Sequence, residues 1–271
     1  MGKLYLVPDR TDMERVCSLA EDYGCAFEYN DFYAAEVMDD PGRQEEIIAS
    51  YGQYRSSFMQ DTMHGAFLDV TIHSSDPLIR EASMLRVRQS MELAARMKLR
   101  GVVFHTGRLA NFRVASYLDN WREQNAVFFT ELARQYPNQQ IYMENMFDEA
   151  PDIMAGLAEQ MRDVENFGIC LDYAHAMLSG RSGQEWIETL APYIRHIHIN
   201  DNDLVNDLHL PVGDGRLDFQ EFDRLIRRYR IDVPVLVEVS GYEAQKKSLE
   251  YMTQHGIYPM DAKENNSALT V

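Results

Sequence analysis

Cysteine is scarce in this chain. Its 271 residues include three, Cys17, Cys25 and Cys170, an odd number without metal-binding spacing. That argues against a disulfide framework and favours a reducing compartment. Positive charge is also short: 26 Lys and Arg face 43 Asp and Glu, for a formal net charge of −17. A surface of that sign repels a phosphate backbone and attracts cations, which argues against nucleic acid as a partner. No uncharged apolar run approaches the ~20 residues that a membrane span needs. Asp9 and Arg10 come too early for a signal-peptide apolar core. No Gly-x-Gly-x-x-Gly follows the first candidate strand, which weakens a dinucleotide-binding reading. No linker or shift in composition divides the chain. A soluble, cytoplasmic protein is expected.

What the chain does have is alternation. Short apolar runs predict strands at Lys3–Val7, Cys25–Tyr29, Phe58–Met63, Gly101–His105, Gln140–Asn145, Gly168–Asp172, Ile194–Ile199 and Pro234–Val239. Helical spacing of apolar residues separates them, as over Pro77–Met97, Val114–Leu132 and Phe219–Tyr229. Asp76-Pro77 reads as an N-cap followed by a first-turn proline, and Thr11 with Glu14 reads as a capping box. Eight strand–helix repeats over this length predict an α/β fold, a single-domain (β/α)8 TIM barrel over residues 1–258. A doubly wound open sheet is the rival that periodicity alone leaves open. Residues 259–271 form a polar C-terminal tail in this reading.

The predicted strand ends carry the chemistry. In an α/β barrel these ends converge on one mouth. Here they hold His64, His105, Glu144, Asp172 with His175 three residues on, and His198, then Asp207 and His209 in the next loop, and finally Glu238. Imidazoles and carboxylates without thiolates suit zinc, manganese or iron. Nine donors exceed the need of one ion and point to two or three, with a carboxylate such as Glu144 bridging. Singly, each has a structural reading: Asp172 as a helix cap, Asp207 as the closer of an Asx turn. Glu144 and Glu238 are harder to explain that way, because an unpaired carboxylate is costly to bury at the end of an apolar strand.

These residues resemble the xylose isomerase-like TIM barrels, the superfamily that includes endonuclease IV and many sugar isomerases and epimerases. The resemblance rests on Glu144-Asn145, Asp172-x-x-His175, His198-Ile-Asn200-Asp201, and Asp207-x-His209 with Gly213-x-Gly215, in that order. In the isomerase branch it implies one divalent ion, zinc or manganese, on Glu144, Asp172, His198 and Glu238. In the endonuclease IV branch it implies a three-zinc site that adds His64, His105, His175, Asp207 and His209. The first reading makes the protein a metal-dependent isomerase or epimerase of a small sugar, sugar phosphate or polyol. In it Glu144 and Glu238 act as an acid/base pair through an enediolate, with His175 as a further catalytic residue. The alternative is a multinuclear phosphoesterase; Arg108 and Arg113 after His105 are candidate contacts for one phosphate or a carboxylate. The resemblance also implies a homo-oligomer, since dimers and tetramers are common in such families.

Overall fold

The computed structural model describes residues 3–261. Its strands are β1 (Leu4–Leu6), β2 (Ala26–Tyr29), β3 (Thr62–His64), β4 (Gly101–His105), β5 (Gln140–Glu144), β6 (Phe167–Asp172), β7 (Ile194–Ile199) and β8 (Val235–Val237). They pair in parallel in chain order, and β8 returns to β1 with Leu6 opposite Val237, which closes the barrel. The helices are α1 (Met13–Tyr23), α2 (Ala35–Met38), α3 (Pro41–Gly52), α4 (Pro77–Met97), α5 (Ala115–Gln135), α6 (Asp152–Gln160), α7 (Tyr173–Leu178), α8 (Gly183–Leu190), α9 (Phe219–Arg228) and α10 (Tyr242–His255). The single (β/α)8 domain is the architecture that the alternation predicted. No helix among the described residues is long and apolar enough to cross a membrane.

Strand side chains alternate between two environments, as the pleat requires. Phe27, Tyr29, Val102, Phe104, Ile141, Met143, Ile197 and Ile199 pack outward in one large apolar layer beneath the helices. The alternate positions line the interior, where Tyr5, Ala26 and Leu236 form one small cluster and Val103, Tyr142 and Cys170 another. Continuing two residues along β4, β5, β6 and β8 replaces these apolar side chains with His105, Glu144, Asp172 and Glu238. Outward burial stabilises the barrel, and the inward stripe is free to carry chemistry at its C-terminal end.

Two local expectations are corrected. The third strand is Thr62–His64, not Phe58–Met63: Phe58 to Asp61 close a turn, with Asp61 N–H donating to Phe58 O at 2.9 Å. The capping box does not form, since α1 begins after Asp12 without a side-chain cap. Thr11 instead donates its hydroxyl to Asp9 Oδ1 at 2.6 Å. Asp76 does cap α4, accepting from Leu78 N–H at 2.9 Å. Of the expected tail, residues 262–271 lie outside the described residues. Met260 is still tied down, its carbonyl accepting from Arg227 at 3.0 Å.

Candidate metal centre

All nine expected donors meet at the C-terminal mouth of the barrel. Glu144 lies at their centre, fully buried, and its two oxygens face different neighbours. Oε2 is 3.4 Å from His64 Nε2 and 3.3 Å from His105 Nε2. Oε1 is 3.2 Å from His198 Nδ1, which is also 3.5 Å from Glu238 Oε2. His175, Asp207 and His209 form a third group, with Asp207 Oδ2 3.2 Å from His175 Nε2 and 3.4 Å from His209 Nε2. The donors fall into three sets whose atoms lie within 4.8 Å of one another: His64, His105 and Glu144; Glu144, Asp172, His198 and Glu238; His175, Asp207 and His209.

Backbone contacts explain how the rings are aimed. The Nδ1 atoms of His64, His175 and His209 lie 3.0, 3.0 and 2.9 Å from the carbonyls of Gly65, Asn145 and Glu238. A carbonyl only accepts, so each Nδ1 carries a proton and each Nε2 is aimed inward toward the carboxylates. His209 reaches this position with a left-handed backbone, φ 48°, a conformation that costs a non-glycine residue energy and is common at functional sites. Asp172 has two roles: Oδ1 caps α7 by accepting from His175 N–H at 2.6 Å, and Oδ2 faces the centre. The expected Asx turn falls on Asp203, which accepts from Val205 and Asn206, and leaves Asp207 for the site.

The donor set fits divalent cations. Glu144 Oε2, Asp172 Oδ2, Asp207 Oδ1 and Glu238 Oε2 are buried without a hydrogen-bond partner, an arrangement that is costly unless a cation or proton completes it. Burial pushes the Asp172 carboxyl up to about 7, with Glu238 and Glu144 adding to the push against the opposing pull of His175. Burial also acts on His175 and His209, but neighbouring carboxylates overcome it and raise them to about 10 and 9. The cluster thus holds protons in places where a metal would displace them.

The surroundings of the site add roles that spacing alone did not give. Asn145 clamps β5 to β6, its amide donating to Asp172 O at 2.8 Å and accepting from Asp172 N–H at 3.0 Å. Phe67 packs against both His64 and His105 with ring centroids 4.8 Å apart, and Phe147 lies 5.8 Å from His175. Arg108 and Arg113 do not reach the site: Arg108 is buried against Asp148 and Glu149, and Arg113 pairs with Asp152 and Glu149. Tyr29 and Phe32 are buried in the apolar core. A cavity of about 280 Å³ adjoins the centre beside Phe147 and His175. A larger one of about 700 Å³ opens at the other end of the barrel near Cys25, Arg55 and Met59, away from every donor in the cluster.

A closed barrel of this kind defines a class of α/β barrels whose mouth gathers imidazoles and carboxylates. Within that class the chain matches the xylose isomerase-like TIM barrel family over residues 12–255, and it belongs to that family. It is 25% identical over 205 residues to the uncharacterized protein MJ1311 of Methanocaldococcus jannaschii, covering 71% of this chain and 69% of that one. It is 21% identical over 256 residues to apurinic-apyrimidinic endonuclease 1 of Plasmodium berghei, covering 83% of this chain and 48% of that protein. Among solved structures, a D-tagatose 3-epimerase-like protein superposes with TM-score 0.72 at 22% identity, over 92% of this chain and 95% of that one. The IOLI protein, solved with a bound zinc atom, superposes with TM-score 0.67 at 17% identity, over 95% of this chain and 100% of that one.

Proposed function

We propose that the protein is a divalent-metal-dependent isomerase or epimerase acting on a small sugar, sugar phosphate or polyol. The observation that carries this reading is the buried set Glu144, Asp172, His198 and Glu238, four donors within 4.8 Å of one another at the barrel mouth. These residues would hold one zinc or manganese ion, which would supply Lewis acidity toward a substrate carbonyl and its neighbouring hydroxyl. Glu144 and Glu238 approach from different strands. One removes the proton from the carbon beside the carbonyl and the other returns it, which inverts or relocates the centre. His175 orients a hydroxyl. The structural neighbours lend support, since sugar 3-epimerases recur among them. The commitment of Arg108 and Arg113 to internal carboxylates favours substrates without phosphate.

A second reading, a multinuclear phosphoesterase, draws on the flanking groups His64–His105–Glu144 and His175–Asp207–His209. Two or three ions there would clamp the oxygens of an in-line displacement. Metal analysis separates the two readings: one tightly held ion per chain supports isomerisation, and three support hydrolysis. Turnover is then measured on a panel of ketoses and phosphoesters, with Glu144→Gln as control. The isomerase reading expects epimerisation that Glu144→Gln abolishes. Cleavage of an abasic-site duplex by the metal-loaded protein, without action on any ketose, would overturn it.

A further inference from the structure

The cavity of about 280 Å³ beside the centre has a lining that the proposed mechanism leaves unused. His175 lines it and also lies 3.5 Å from Asp172 Oδ2, so cavity and donor cluster share one imidazole. Phe147 meets that ring edge-on at 5.8 Å and is 50% exposed, and Leu178 of α7 adds a second apolar surface. Asp148 and Glu149 complete the lining with carboxylates, and among the described residues no lysine or arginine lines the cavity. Asp148 is satisfied internally. Its Oδ2 accepts from the Thr106 hydroxyl at 2.8 Å and from Met146 N–H at 3.1 Å, and its Oδ1 accepts from Arg108 at 3.0 Å. Glu149 is not. Arg108 holds its Oε2, but its Oε1 is buried without a hydrogen-bond partner, with Arg113 3.6 Å away. An acceptor left over in a partly apolar cavity calls for a donor.

We propose that this cavity is the subsite for the unreacting end of the substrate, and that the end it takes is a neutral, hydroxyl-bearing carbon chain without phosphate. Its volume matches roughly nine molecules of liquid water, room for the far end of one sugar. Phe147 covers the C–H side of that chain, and Glu149 Oε1 accepts from one of its hydroxyls. The carbonyl end stays at the centre, with His175 between the two. A phosphate in the cavity would meet Asp148 and Glu149 with no cationic side chain in the lining to offset it, and like charges brought together reject the wrong substrate. Arg108 does not turn toward it, since its side chain is 1% exposed and held by Asp148 and Glu149. Phe147 and Glu149 are therefore specificity-determining residues, separate from those that carry the chemistry. The inference rests on the isomerase reading only for where the carbonyl end lies.

The test is ligand binding to the zinc-loaded protein by saturation-transfer NMR, paired with turnover, with the D-ketohexoses and D-fructose 6-phosphate as probes. One ketohexose or more is expected to bind roughly tenfold more tightly than the 6-phosphate. Phe147→Ala removes a half-exposed ring, so the fold stays intact. It is expected to weaken that ketohexose and raise its KM roughly tenfold, with little change in kcat. Glu149→Gln keeps an acceptor and removes the charge, and it is expected to narrow the preference against the 6-phosphate about fivefold. A 6-phosphate that binds as tightly as every ketohexose overturns the inference. So do wild-type affinities, within about twofold, in both variants. If they come with normal turnover, the isomerase reading survives without this subsite. A ketohexose that binds, is weakened by Phe147→Ala and is never converted would overturn the isomerase reading alone. A protein that neither binds nor converts any probe overturns both.

Discussion

At His73 the chain keeps an imidazole neutral by burying it. The residue is 4% exposed, its Nε2 lies 2.9 Å from the Tyr117 hydroxyl, and its Nδ1 has no hydrogen-bond partner. Burial, with the charge of Arg108 adding to it, lowers this histidine to about 4. The unfolded chain protonates it near 6.5, so between these values the unfolded state binds the extra proton. The contribution to stability is therefore complete above pH 6.5 and is lost as the pH falls toward 4, at no more than about 1.4 kcal/mol per pH unit. Urea midpoints at pH 7 and pH 5 are expected to separate more for wild type than for His73→Gln, and equal separations would refute the assignment. His73 stood outside the sequence-derived site, and its burial depends on contacts that no local pattern announces. Glu28 was legible in part. A glutamate between Phe27 and Tyr29 faces the side of the strand opposite those rings, but the residues that hold it inside the barrel, Thr62 and His196, lie far along the chain.

The loop from β7 to α9 shows the same division at the level of elements. Asp201, buried just past β7, accepts from Gly213 and Gly215 N–H at 3.0 and 2.8 Å and from Leu217 N–H at 3.1 Å. These bonds fold the loop back so that Asp207 and His209 project over the mouth. The two glycines are needed for different reasons. Gly213 has φ 93°, and a Cβ there would lie 2.4 Å from the Tyr251 ring. A Cβ at Gly215 would lie 2.3 Å from Asp201 Oδ1 and 2.4 Å from Asn202 O. Gly215→Ala is expected to destabilise the fold by about 1–3 kcal/mol and to weaken any zinc held by Asp207 and His209 before zinc held at Glu144, Asp172, His198 and Glu238. Thermal melts and zinc titration of the variant check both outcomes, and unchanged values in both would refute this account of the motif. Sequence spacing located the motif and the strand ends because both are local. It misplaced β3 because Phe58 and Met59 imitate a strand, although Met59 is 67% exposed. It misread the start of α1 because Asp9 competes for the Thr11 hydroxyl.

The whole molecule combines a closed barrel with a net charge of −17, and under the proposed function the two would act on different steps of metal binding. The barrel was legible because outward strand positions stay apolar while inward ones turn polar at the mouth, a pattern repeated on strand after strand. The arrangement of nine donors into three groups was not, since it depends on which strands become neighbours and how each ring is aimed. The net charge of −17 reaches beyond any single contact and should raise the local concentration of cations at the surface. Screening shortens that reach from ~30 Å at 0.01 M salt to ~10 Å at 0.1 M. The association rate of a divalent ion is therefore expected to fall on the order of tenfold across that range. Its dissociation rate, set by donors that are mostly buried, should change much less. Stopped-flow mixing of the metal-free protein with Mn²⁺, followed by release into excess chelator, measures the two rates separately. An association rate indifferent to salt would show that the surface field plays no part in metal uptake, and a strongly salt-dependent release would place the ion on exposed carboxylates rather than at the barrel mouth.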